Sequence, residues 1–195
     1  MNQKEILDML NAVKKGALSP ETALAKLKIA PFEGLGYAMI DHHRGIRQGV
    51  PEVIFGSGKT AEQIAGITAK MLENGGRDII ISRLSSESAE ILSHQFNLEY
   101  HAIPQFGIVN RDPDKKQVGL IIIASAGTSD MPVCEEAALT AEVLGNKVTR
   151  LYDVGVAGLH RLLSHLEVLI EARVIIAVAG MEGALPSIIG GLVSC

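Results

Sequence analysis

The sequence predicts an α/β fold. Glycine is abundant, at 20 of 195 residues, while aromatics make up 4% and Trp is absent. That mix suits layered helices and strands joined by glycine turns better than an aromatic-rich β-sandwich. Short β-branched runs alternate with segments of helical period. In the carboxyl-terminal part, three apolar runs each end in glycine just before a helix start, the pattern of parallel βα units.

Composition narrows the function classes. Hydrophobic residues are 47% and charged residues 21%, enough for one large core or two small ones. A net charge of -4 without a basic cluster argues against nucleic acid as a partner. Cys134 and Cys195 fit a reducing compartment rather than a disulfide scaffold. "MNQKEILDML" lacks the apolar core of a signal peptide, and no apolar run approaches the roughly 20 residues of a membrane span. The expectation is a cytoplasmic protein with no membrane partner.

The elements follow in order. Ile6, Leu7, Met9, Leu10 and Val13 have helical spacing, stopped by Gly16. "SPET" starts a second helix, with Ser19 as N-cap and Pro20 in the first turn. These make a helical hairpin over 1–30. "GYAMID" and "VPEVIFG" read as short strands, and "TAEQIAGITAKMLENGG" as a helix capped by Thr60 with a glycine stop. "RDIIISR" is a buried strand, its isoleucines too continuous for one wet face. "SSESAEILSHQF" is helical and "LEYHAIPQFGIVN" strand-like, giving a small α/β domain over 31–112. "NRDPDKKQ" is the linker. From 117 onward "VGLIIIASAG", "KVTRLYDVG" and "RVIIAVAG" are strands, each followed by a helix. Ligands of parallel sheets bind beyond the strands' carboxyl ends, where helix N-termini offer N–H groups to anions.

"VPEVIFGSGKTAEQ" ends like a phosphate-binding P-loop, but the required first glycine falls on Val53. An NTPase is therefore disfavoured, and Lys59 is either a solvated lysine or a cation for a phosphate or carboxylate. In "IDHHRGIRQGVPE", His42 and His43 are neighbours that would face opposite sides of a strand, so no metal is expected. Arg44 and Arg47, with glycines beside them, suit a doubly charged anion. A solvated loop remains the alternative. Gly127, Thr128 and Ser129 of "ASAGTSDMP" offer N–H groups and hydroxyls to an anion, and Asp130 is alternatively an N-cap. "YDVGVAGLHR" ends the second of these strands in small residues, and "AVAGMEGALPS" ends the third with Gly180 and Gly183 around Glu182. Cys134, inside a helix with no neighbouring base, reads as buried packing.

At these loops the chain resembles a known family. "GTSDMPVCEEAALTAEVLG", "LYDVGVAGLHRL", "VAGMEGALPSIIGGLV", "YAMIDHHRGIRQGVPEVIFGSGKTAEQI" and "DIIISRLS" are similar to the LarB family of nickel-pincer cofactor biosynthesis, whose carboxyl domain is related to the aminoimidazole ribonucleotide carboxylase PurE. The resemblance spans nearly the whole chain. It implies that 117–195 is a PurE-like, three-layer parallel-sheet domain of Rossmann-like or flavodoxin-like type, incomplete at its carboxyl end. It implies carboxylation of the nicotinate ring of nicotinic acid adenine dinucleotide by carbon dioxide or bicarbonate. The phosphoanhydride is then hydrolysed, giving pyridinium-3,5-biscarboxylic acid mononucleotide and AMP. It implies a homo-oligomer, an octamer in the relatives, with no tightly bound cofactor and room for magnesium.

The chemistry gives these residue types roles. A thiolate adding to the electron-poor ring makes a neighbouring carbon nucleophilic, and a base then removes the ring proton. The resemblance puts Glu182 at that base and Ser129 and Asp130 at the reacting carboxyl group. Gly127, Thr128, Asp153, Gly155, Ala157, Gly158, His160, Gly180, Met181 and Gly183 line the substrate, Asp41 joins them from the first domain, and Arg44, Arg47, Lys59 and Arg83 of that domain serve the substrate's phosphates.

Two departures qualify this. PurE's histidine lies in an "AHR" motif, whereas His160 here sits in the later "DVGVAGLHR", which disfavours PurE's own reaction. The family continues past "GGLV" with a fourth strand, a "PTSVGYG" segment and the nucleophilic cysteine. The 195 residues are thus expected to lack that thiolate, and a non-catalytic dinucleotide-binding module is the competing reading. A PurE-like carboxylase or mutase is a further one.

Overall fold

A computed structural model describes residues 3–28, 33–41, 44 and 50–195. It is α/β, with parallel pairing in both larger sheets, as in PurE-like and Rossmann-like folds.

The chain opens with α1 (Gln3–Lys14) and α2 (Pro20–Lys28), the expected hairpin. Ser19 Oγ accepts the Thr22 N–H at 3.1 Å, as an N-cap should. Leu7, Leu10 and Leu24 remain more than half exposed. β1 (Glu33–Gly34) and β2 (Met39–Ile40) pair antiparallel in a sheet of their own, so "GYAMID" does not join the larger sheet.

That sheet contains β3 (Ile54–Phe55), β4 (Ile79–Ser82), β5 (Leu98–His101) and β6 (Phe106–Val109), in the order β3-β4-β6-β5. α3 (Ala61–Glu73) links the parallel pair β3 and β4, and α4 (Ser86–Ser93) crosses from β4 to β5. Thr60 and Gln63 close a reciprocal capping box on α3. The single strand expected over 98–110 is in fact a hairpin. Its turn puts Gln105 at φ 50°, and β6 folds back between β4 and β5, antiparallel to both. The sheet is therefore mixed.

The second sheet is wholly parallel, in the order β8-β7-β9, from β7 (Val118–Ser125), β8 (Asn146–Leu151) and β9 (Val174–Val178). α5 (Met131–Val143) follows β7 and α8 (Ala184–Leu192) follows β9. The single helix expected after β8 is broken into a 3-10 turn at Val156–Gly158, α6 (Leu159–Leu163) and α7 (Leu166–Ile170).

α5 joins the two sheets. Cys134 and Ala138 pack on Ile123 of β7, while Leu139 and Val143 pack on Ile80, Phe106 and Ile108 of the first sheet. The apolar residues of "VCEEAALTAEV" are thus shared between two cores, while Glu135, Glu136 and Glu142 supply its polar edge. Ion pairs rim the joint: Arg83 to Glu136 at 3.2 Å, Arg111 to Glu99 at 2.7 Å and to Glu142 at 3.5 Å, and Lys115 to the buried Asp78 at 2.6 Å. Among the described residues no helix is long and apolar enough to cross a membrane.

Candidate functional site

The order β8-β7-β9 places the first strand of the sheet between the other two. The chain leaves β7 toward β8 on one side and reaches β9 on the other, so the crevice beyond β7 and β9 is the topological switch point where such sheets bind ligands. Three segments meet there: 126–130, 152–158 and 179–183.

Backbone hydrogen bonds tie them together. Ala126 N–H donates to the Val178 carbonyl at 3.0 Å, and Val154 N–H to the Ser125 carbonyl at 2.9 Å. Asp153 N–H donates to Ser125 Oγ at 3.1 Å. A Cβ on Gly155 would stand 2.5 Å from the Ala126 carbonyl oxygen, so only glycine lets these loops approach. Asp153 itself takes a left-handed φ of 57°, and its carboxylate is held by Arg161.

Asp130 sits at the centre. Its Oδ2 accepts the Gly127 N–H at 2.9 Å, and Asp130 N–H donates to the Gly127 carbonyl at 3.2 Å. Asp130 does stand at the N-cap position of α5, but its carboxylate closes its own loop and makes no side-chain cap. Its other oxygen lies 3.8 Å from where a Cβ of Gly180 would be, so the first and third loops face each other across that carboxylate. Thr128 and Ser129 form an exposed 3-10 turn with it. Met181 at φ 47° and Gly183 at φ 62° shape the third loop, and Glu182 and His160 are exposed. Ala157 and Gly158 lie in the turn before α6.

The expected first-domain cations divide differently. Arg83, at φ 54°, is engaged by Glu136 of α5. Lys59 lies half-buried before α3, at the end of a turn closed by its N–H to the Gly56 carbonyl at 3.1 Å. Asp41 donates its N–H to Glu52 Oε2 at 2.6 Å, and Arg44 is exposed. Arg47, His42 and His43 lie outside the described residues. Among the described residues no group of three or more His, Cys, Asp or Glu side chains is placed to hold a metal ion.

Cys134 is fully buried, and burial, then Asp130 and Glu135, push its thiol up to about 11. It is no nucleophile at neutral pH. Glu135 also accepts from Tyr152 Oη at 2.6 Å and from Arg150 Nε at 3.2 Å. Burial first, then that bond to Glu135, raises the Tyr152 phenol. Arg150 also reaches Glu142 at 2.5 Å; burial opposes its charge, but Glu142 and Glu135 outweigh it. The residue that sequence reasoning missed is Ser125. The signal was there: a lone hydroxyl closing the apolar run "LIIIAS", fully buried, where a polar atom needs a partner.

Comparison with known proteins agrees with this architecture. A family model described as the LarB/PurE-like N-terminal domain matches residues 32–111. The chain is 37% identical over 199 residues to a protein named "Uncharacterized protein MJ0165" from Methanocaldococcus jannaschii, covering 97% of this chain and 78% of that one. The LarB/PurE-like match suggests a carboxylase- or mutase-like role. On sequence and fold together, the chain belongs to the LarB family.

Proposed function

We propose that the protein carboxylates the nicotinate ring of nicotinic acid adenine dinucleotide and releases AMP, leaving pyridinium-3,5-biscarboxylic acid mononucleotide. The observation that carries this is the meeting of the 126–130 and 179–183 loops across Asp130 at the switch point of a parallel sheet. The open N–H groups and hydroxyls of Thr128 and Ser129 suit a carboxylate or phosphate. Asp130 holds that loop in shape. Glu182, exposed at the third loop, is the base that takes the ring proton after carboxylation. Lys59, with Arg44 and Arg47, holds the phosphate side, and Arg83 supports it from the joint. Magnesium would act on the substrate's pyrophosphate, and the working form is a homo-oligomer in a cytoplasmic setting.

The burial of Cys134 favours a second reading, binding of the dinucleotide without turnover, because the ring needs a thiolate that this residue does not supply. One experiment separates the two. The protein is incubated with nicotinic acid adenine dinucleotide and 13C-bicarbonate, and AMP and labelled dicarboxylated mononucleotide are measured by mass spectrometry. Turnover that falls about a hundredfold or more in Glu182→Gln supports the carboxylase. Calorimetric binding without either product supports the binding module.

A further inference from the structure

The segment 110–117, charged and broken by Pro113, has the composition of a free linker between the two units. It is fastened instead. Asp78, the residue before β4, holds it by its backbone and by both carboxylate oxygens. Asp78 N–H donates to the Asn110 carbonyl at 3.2 Å. Its Oδ1 accepts the Asp112 N–H at 2.8 Å, and its Oδ2 accepts from Lys115 Nζ at 2.6 Å. Asp112 takes the Asp114 N–H on its own Oδ1 at 3.1 Å, which turns the chain between those two contacts.

Lys115 carries the attachment across to the second unit. The same ammonium donates to the Val143 carbonyl at 2.7 Å, at the last residue of α5. A cation there meets carbonyls that the helix itself leaves unsatisfied. The lysine stem passes over Gly145, where a Cβ would stand 3.8 Å from Lys115 Cδ. Val118 N–H then donates to the Gly145 carbonyl at 3.0 Å, so β7 starts against the end of α5. One ammonium thus joins the start of β4 to the end of α5.

Burial separates this pair from its neighbours. The Asp78 side chain is 9% exposed, whereas the carboxylates of Glu136, Glu99 and Glu142 at the same joint are 25%, 41% and 17% exposed. Exposed pairs contribute little, but a buried carboxylate stripped of its cation is left uncompensated. Beside the pair a cavity of about 290 Å³ opens, lined among others by Asp78, Arg111, Lys115 and Glu142. Polar contacts around open space, rather than close packing, therefore fix this edge of the joint. The apolar contacts of Leu139 and Val143 resist separation of the sheets, but such contact is non-directional. Register comes from groups with direction.

We propose that Asp78 and Lys115 form a latch that sets the register of the two units, so that the cations of the first and the loops of the second meet one ligand. Both are positioning residues and neither belongs to the site loops. The latch rests on these hydrogen bonds; its effect on a ligand rests on the reaction proposed above.

The test uses the full chain with spin labels on Glu90→Cys of α4 and Glu167→Cys of α7, both exposed positions, in a Cys195→Ser background diluted with unlabelled protein. Pulsed electron resonance gives one narrow distance in this parent. Lys115→Met and Asp78→Asn each widen the distribution about twofold or more, because units without a fixed contact move relative to one another. Asparagine keeps the left-handed φ of 53° and the acceptor for Asp112, so Asp78→Asn removes only the charge and decides the matter if Lys115→Met does not fold. Lys115→Arg keeps the distribution narrow. In calorimetry, both loosened variants bind nicotinic acid adenine dinucleotide about tenfold or more weakly, while nicotinic acid mononucleotide, which needs the second unit alone, changes by less than about twofold. A distribution as narrow in the folded variants as in the parent overturns the proposal. So does an equal loss for dinucleotide and mononucleotide, and so does unchanged dinucleotide affinity. If the parent binds no dinucleotide, the reaction falls and the distances alone decide the latch.

Discussion

The two larger sheets share a helix but solve different problems. In the first, β4 and β6 are buried at every residue, and a hairpin folds back to fill the middle of the sheet. In the second, all pairing is parallel, so each strand must leave through a loop and return by a helix on the far side. The hairpin turns its chain with four residues and leaves little backbone to spare. The parallel sheet gathers three loops at one edge, with N–H groups that the strands do not use. The proposed chemistry lies in the loops of the parallel sheet, where backbone is free to meet a ligand.

This contrast can be broken by substitution. The largest effect is expected from Phe106→Ala. Phe106 is fully buried and packs against α5, so its loss should cost about 3–5 kcal/mol in denaturant unfolding. If both sheets report a single transition, the shared helix couples them; separate transitions would divide the molecule. Next is Gly155→Ala. The added methyl meets backbone, so about 1–3 kcal/mol of strain is expected, with turnover falling more than stability. Unchanged activity in that variant would remove the 152–158 loop from the site.

Thr60→Ala removes half of the capping box on α3 and should cost about 1 kcal/mol by thermal melting, without affecting the second sheet's loops. The smallest effect is a pH limb. The Cys134 thiol is raised in the folded protein, so its contribution is whole below the unfolded value near 8.5 and is lost as pH rises toward about 11. Unfolding stability should therefore decline over that window, and less steeply in Cys134→Ala. The same thiol should resist alkylation at pH 8 until the protein is unfolded.

Local signals carried much of the fold. The isoleucine run of β4, the Thr60 cap and the glycine-ended strands were legible because each depends on a few neighbouring residues. The hairpin was missed although Pro104 interrupts its run, since a proline argues against a continuous inner strand. At the candidate site, spacing brought Gly127, Asp130 and Gly180 into view but not what Asp130 does. Whether its carboxylate caps a helix or closes a loop depends on rotamers and on the third loop packed in front of it.

The sequence alone determined the α/β class and most of the order of elements, and it disfavoured a P-loop, because periodicity, caps and glycine spacing act over one or two turns of chain. Tertiary structure alone decided which strands pair, that α5 serves two sheets, and that Asp78 meets Lys115. Those outcomes depend on contacts between segments far apart in the chain, and pairing preferences at that range are set by the burial they jointly achieve.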